Sequence, residues 1–259
     1  MAKICPLASS SSGNSVIISY GKEAILVDAG TNAKYLINSL NDRDFDLNSI
    51  RAIYITHTHT DHISALKTLT KKLNVPVIAS AATLKALADT DKVAPIAKLK
   101  VAGSENLDFV KADFFSTSHD CLGSLGYSFT FADKKISVCT DLGVVSDEVR
   151  ENLLNSDVIY FESNHDITML QKGSYPPFLK QRILGPYGHL SNGASSAELP
   201  KFVQSGTTKI ILGHLSKQNN LPALARSAAT ASLMNIGACD GIDYMLYVAK
   251  PSDNEVIYF

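Results

Sequence analysis

Three of the seven histidines in this 259-residue chain fall within six residues, in the run Thr56-His57-Thr58-His59-Thr60-Asp61-His62. Imidazole nitrogens and carboxylate oxygens are donors that divalent metal ions accept. Residues two apart in an extended chain point the same way, so His57 and His59 can share one ion, while Asp61 and His62, where the chain turns, can reach a second. Neighbouring cations that share a water bring its pKa toward neutrality, so the chemistry this turn offers is hydrolysis. Three more donors follow predicted strands: His119 after Phe114 to Ser118, Asp141 after Ile136 to Thr140, and His214 after Ile210 to Gly213. Strand C-termini are where open α/β sheets assemble ligand sites. Taken singly, each of these is equally a capped turn or a satisfied histidine; with the turn motif they form a coherent set.

The elements that must hold these donors read as alternating strands and helices. Short β-branched runs occur at residues 16–18, 24–28, 52–56, 75–79, 127–131, 135–140, 158–162 and 209–212. Helical spacing occurs at residues 63–73, 83–88, 148–154, 194–203 and 221–234, with Asn192 the expected N-cap of the fourth. Hairpin-like pairs near the N-terminus and at 127–140 predict mixed sheets, and the helix-separated strands predict sheets covered by helices. A four-layer αβ/βα sandwich satisfies both. A doubly wound parallel sheet fits the pattern less well, because the first βα turn lacks a glycine-rich dinucleotide fingerprint. No linker or composition shift divides the chain, so a single domain over residues 1–259 is expected.

Composition bounds the function. With 45% hydrophobic and 19% charged residues the chain is an ordinary globular one, and its formal charge of -1 gives no overall basic character for holding nucleic acid by electrostatics alone. Any nucleic-acid contact must be local. Cys5, Cys121, Cys139 and Cys239 form no CxxC pair, which argues against a disulfide framework or a cysteine zinc cluster. Neither an apolar leader nor a membrane-length apolar run is present, and a cytoplasmic, membrane-free protein is the expectation.

The run His57 to His62, followed by isolated His119, Asp141 and His214, resembles the signature of the metallo-β-lactamase superfamily, with Asp28 in Val27-Asp28-Ala29-Gly30 matching its first motif. The resemblance implies that fold and a dinuclear centre. His57, His59 and His119 would hold one ion, Asp61, His62 and His214 the other, and Asp141 would bridge. Asp28 would stand behind the ligands and orient the turn. Zinc is the default ion for such donors, and manganese or iron suits the same nitrogen and oxygen set.

Four further stretches resemble one branch, the YycJ or WalJ type of small bacterial metallohydrolase: Leu7 to Ser15, Glu162-Ser163-Asn164-His165-Asp166, Tyr175 to Ile183, and Gly188-His189-Leu190-Ser191-Asn192. That branch is described as DNA-processing exonucleases, so the resemblance implies phosphodiester cleavage with DNA as substrate. The branch's usual Ser-Gly-Ser stands here as Ser9-Ser10-Ser11. Residues 9–14 could cradle a phosphate, although an ordinary hairpin turn is the favoured reading. Lys180 and Arg182 are either phosphate clamps or solvated charges on a helix, and with Lys217 they would have to supply the local positive patch. In the resembled branch the motifs of His165 and His189 lie close to the metals. A histidine delivers protons near neutral pH, which makes His189 the first candidate for the acid and His165 the second, with Asp61 serving catalysis as a ligand.

Two other functions compete. A small-molecule hydrolase of the same fold would attack a thioester, lactone or β-lactam, although the missing export signal disfavours antibiotic degradation. A non-catalytic scaffold would have lost ligands, whereas all seven positions are filled here.

Overall fold

The computed structural model describes residues 1–104 and 107–259, which divide into two compact units. The first comprises Met1–Phe114, Cys121–Leu125 and Lys250–Phe259. Strands β1 (Ala2–Ser10) and β2 (Gly13–Tyr20) form a hairpin in which Ser10 pairs with Gly13, so Ser11 and Ser12 are the turn. A second tight turn, with Gly21 at a φ of 60°, leads into β3 (Glu23–Val27), again antiparallel. Helix α1 (Ala33–Asn41), capped by Asn32 accepting from the Tyr35 N–H, carries the chain to β4 (Ile50–Tyr54), now parallel to β3.

The helix expected over residues 63–73 is two pieces, α2 (Thr60–Ile63) and α3 (Leu66–Lys72). The ladder breaks at Ala65, whose N–H goes to the Ala29 carbonyl at 2.8 Å instead of continuing the helix. This break ties the histidine turn to the segment that carries Asp28. Strand β5 (Pro76–Ala79), helix α4 (Ala81–Asp89) and strand β6 (Lys98–Val101) complete the parallel half, and the C-terminal strand Ile257–Tyr258 closes the other edge against β1. Among the described residues the sheet has seven strands, in the order C-terminal strand, β1, β2, β3, β4, β5, β6. Leu26, Ile53 and Val77 from its strands pack with Leu36, Leu66, Leu69 and Leu87 from the helices. Each such buried side chain contributes about 1.5–3 kcal/mol.

The second unit comprises Phe115–Asp120 and Gly126–Ala249. Its sheet takes in the last two residues of β7 (Lys111–Ser116), all but the first residue of β8 (Leu125–Phe131), and β9 (Lys134–Cys139), the last two strands a hairpin as expected. After helix α5 (Asp147–Leu153) comes β10 (Val158–Glu162), parallel to β9 and buried along its whole length. Helices α6 (Ile167–Lys172), α7 (Pro177–Leu184) and α8 (Asn192–Gln204) precede β11 (Lys209–Gly213), and α9 (Pro222–Met234) precedes β12 (Met245–Val248). The strand order is β12, β11, β10, β9, β8, β7. Phe161 meets Phe202 edge-on within a core that also holds Ile159, Leu199, Leu212, Ala225 and Leu233.

One cap differs from expectation. The N-cap of α8 is Ser191, which accepts from the Ala194 N–H, because the Asn192 side chain is committed to Ser163 and Asn220. Both units thus share one plan: an antiparallel section built by hairpins, then parallel strands whose C-terminal ends open into loops. Among the described residues no helix is long and apolar enough to cross a membrane.

Candidate metal centre

In the first unit the donors emerge where β4 ends. Buried His57 meets half-buried His59 with ring centroids 4.6 Å apart, and buried His62 at 4.2 Å. The half-buried Asp61 carboxylate lies 3.5 Å from His62 Nε2, close to the roughly 3.3 Å that separates two ligands on one tetrahedral ion. Asn14, from β2, spans this pair, with its Nδ2 3.1 Å from each.

Asp28 controls which ring nitrogen carries the lone pair. Its Oδ2 lies 2.7 Å from His62 Nδ1 and accepts from the Thr56 hydroxyl at 2.8 Å, while Oδ1 accepts the Thr56 N–H. The Thr56 hydroxyl lies 3.0 Å from His57 Nδ1 and can accept from it. One carboxylate therefore holds His62 directly and His57 through a threonine, which puts the lone pair of each ring on Nε2, where it could hold a metal ion. The close approach of Asp28's segment to the turn needs Gly30, where an added Cβ would stand 1.8 Å from the Asp61 carbonyl oxygen.

In the second unit Asp141, Glu162, His189 and His214 offer ligand atoms that all lie within 4.8 Å of one another. His119 joins them, with Nε2 3.8 Å from Asp141 Oδ1 and Nδ1 facing the Gly188 carbonyl at 3.2 Å. That contact again assigns the proton to Nδ1 and the lone pair to Nε2. Asp28, Asp141 and His214 each sit just past a strand at φ values of 60°, 60° and 56°. Non-glycine residues hold this left-handed region only when their surroundings fix it, and it turns these side chains out of the strand direction.

Glu162, given no role by the sequence, is the hub of this set. Fully buried at the end of β10, it lies 2.9 Å from His189 Nδ1 and 2.8 Å from His214 Nδ1, and accepts the backbone N–H groups of Leu142 and Leu190. Burial works to raise its pKa, but His189 and His214 outweigh it and hold the carboxyl at about 2. The signal was available: an ionisable residue closing the wholly apolar run Val158 to Phe161 is costly unless partnered.

The structure places the remaining expected residues less uniformly. His165 is 1% exposed, and neither of its ring nitrogens has a hydrogen-bond partner among the described residues. Burial pushes its pKa down to about 4, so its ring is neutral. It belongs to none of the donor groups formed by the described residues. Arg182 pairs with Asp120, and Lys180 Nζ donates to the Gln171 carbonyl. The donors of both units are imidazoles and carboxylates with oriented nitrogens, a set that fits borderline divalent cations.

The sequence profile of the metallo-β-lactamase superfamily matches residues 10–214. This chain belongs to that superfamily. Metallo-β-lactamase relatives include an exodeoxyribonuclease WalJ of Streptococcus pneumoniae, 33% identical over 250 residues that span 95% of this chain and 93% of the relative. An exodeoxyribonuclease YycJ of Bacillus anthracis is 30% identical over 253 residues, covering 95% and 94% of the two chains. The metallo-β-lactamase fold protein YhfI from Bacillus subtilis superposes with a TM-score of 0.72 at 13% identity, over 98% of this chain and 99% of that one. The resemblance to the metallo-β-lactamase superfamily and to its YycJ or WalJ branch is thereby borne out, as is the fold class.

Proposed function

We propose that this chain is a dinuclear metal-dependent phosphodiesterase that removes nucleotides from DNA ends. The observation that carries the reading is the paired design of the donor sets: in each unit a buried carboxylate, Asp28 or Glu162, fixes histidine Nδ1 atoms so that Nε2 can ligate. The exodeoxyribonuclease activity for which relatives at 30% and 33% identity are named supports DNA as substrate.

In the first unit His57, His59, Asp61 and His62 would be metal ligands, and in the second His119, Asp141 and His214. When bound, the ions supply a low-pKa water as nucleophile and Lewis acidity at the phosphoryl oxygen. The chain's own residues do the rest. Asp28 and Thr56 keep His57 and His62 in one tautomer, and the N–H of Asn14 Nδ2 restrains Asp61. His189 is the residue to donate a proton to the departing 3′ or 5′ oxygen: its Nδ1 is held by Glu162, and its side chain is 14% exposed where His214's is only 3%. His165, neutral and turned away from any partner, has no proton-transfer step.

Digestion of 5′-phosphorylated linear duplex DNA beside a closed circle tests the function, with zinc and manganese each supplied in turn. Loss of the linear substrate alone is the expected result. Inertness toward both, with two metals bound per chain, would move the assignment to a thioester, lactone or β-lactam substrate. His59→Ala and Asp61→Ala should each lower turnover on the order of 10³-fold or more while the circular dichroism of the fold is kept. Near-normal rates in either variant would refute the ligand assignment.

A further inference from the structure

We infer that α7 and the loop following it form a stacking platform for the nucleobases of a single-stranded DNA end, an inference that rests on the DNA reading above. Phe178 is 71% exposed and Tyr187 is 63% exposed, two aromatic rings held in solvent within ten residues of each other. They are not loosely attached. Arg182 lies one helical turn beyond Phe178, and its guanidinium pairs with Asp120. The Asp120 N–H is in turn donated to the Tyr187 carbonyl at 3.1 Å. The Tyr187 backbone and the Arg182 side chain of α7 thus both meet Asp120, the residue next to His119. Tyr187 stands two residues before His189, whose own N–H is donated to Ile183 of α7 at 3.0 Å. The platform is therefore continuous in backbone hydrogen bonds with the donor set of the second unit.

Charge selects the occupant. The chain has 25 carboxylate residues, yet none falls between residues 167 and 197, where Lys172, Lys180 and Arg182 lie. With Asp120 paired to Arg182, Lys172 and Lys180 leave this segment net positive beside its exposed rings, which suits a polyanion that offers π-faces. Duplex DNA keeps its bases stacked on one another, so only an unpaired or frayed end can present them. A protein partner would gain from the rings but would need an acidic surface to match the cations.

The experiment compares binding of a fluorescent, nuclease-resistant phosphorothioate oligothymidine with an abasic oligomer of the same length, using metal-loaded protein. The wild type should hold the oligothymidine about tenfold or more tightly. Phe178→Ala and Tyr187→Ala should each remove about tenfold of that affinity and leave abasic binding unchanged, while Tyr187→Phe retains it. The kcat for bis(p-nitrophenyl) phosphate should stay at the wild-type value in all three. Equal affinity for the two oligomers, or equal loss of both in the alanine variants, would overturn the platform. So would a change in oligomeric state of those variants with oligothymidine affinity intact, which would mark the face as a contact between copies of the chain. A wild type that cleaves neither DNA nor the small diester refutes the phosphodiesterase reading instead, and the binding comparison still judges the platform by itself.

Discussion

The two units solve one problem with the same device and different reach. Each buries a carboxylate at the end of a central strand, Asp28 after β3 and Glu162 in β10, and each uses it to fix the Nδ1 of histidines. In the first unit the residues served, Thr56, His57 and His62, lie on one short turn. In the second, His189 and His214 stand 27 and 52 residues from Glu162. In the first set the residues served share one turn and only the carboxylate, 28 and 34 residues back from Thr56 and His62, is brought to them, whereas in the second the carboxylate and both histidines come from three separate segments. The same kind of oriented donor set can therefore rest on one local turn in one unit and on tertiary docking throughout in the other.

The sharpest way to break that equivalence is to remove each carboxylate. Glu162→Ala leaves two imidazoles and the N–H groups of Leu142 and Leu190 without their acceptor, each costing about 1–3 kcal/mol. Asp28→Ala strips His62 Nδ1, the Thr56 N–H and the Thr56 hydroxyl. Both substitutions should weaken metal binding, on the order of 10- to 100-fold, with Glu162→Ala the larger loss in thermal stability of the metal-free protein. Chelator competition and calorimetric melting read the two quantities. If Asp28→Ala proves as destabilising as Glu162→Ala, the distinction between a local and a tertiary set fails.

This difference in reach also explains what the sequence disclosed. His57, His59, Asp61 and His62 could be read from spacing alone, because the turn that gathers them is continuous. His119, Asp141 and His214 could be proposed only as strand ends and by likeness to a family, since nothing local says that they converge. Glu162 was missed because it looked like the last residue of a strand. Asn192 was misread as a cap because its true partners, Ser163 and Asn220, are both 28 or more residues away in sequence. The hairpins and the parallel strands were legible from β-branched runs. The division of residues 63–73 into α2 and α3 was not, because it depends on the carbonyl of Ala29, far back in the chain.

A smaller effect separates the units through their glycines. At Gly30 an added methyl would meet the Asp61 carbonyl oxygen of the donor turn at 1.8 Å and the Asn14 backbone nitrogen of β2 at 2.5 Å. Gly30→Ala should therefore cost about 3 kcal/mol and perturb metal binding as well. Gly193, in the first turn of α8, has nothing nearer than the Ser191 hydroxyl at 3.9 Å, so Gly193→Ala should be neutral or stabilise by up to about 1 kcal/mol. Urea midpoints of the two variants decide the matter. A Gly30→Ala protein that unfolds and binds metal like the wild type would mean that the approach of the Asp28 segment to the turn is not tight.

The smallest effect concerns His165, the one histidine of seven outside the donor groups of the described residues. Burial lowers its pKa from 6.5 to about 4, so the unfolded chain takes up a proton near pH 6.5 that the folded chain refuses until about pH 4. Its folded pKa lies below its unfolded one, and stability is therefore undiminished above pH 6.5 and falls as the pH drops through that window. The contribution is isolated as a difference: metal-free His165→Asn should lose less stability than metal-free wild type between pH 6.5 and 4. Parallel stability curves for the two proteins across that range would show that the fold does not hold the His165 ring neutral.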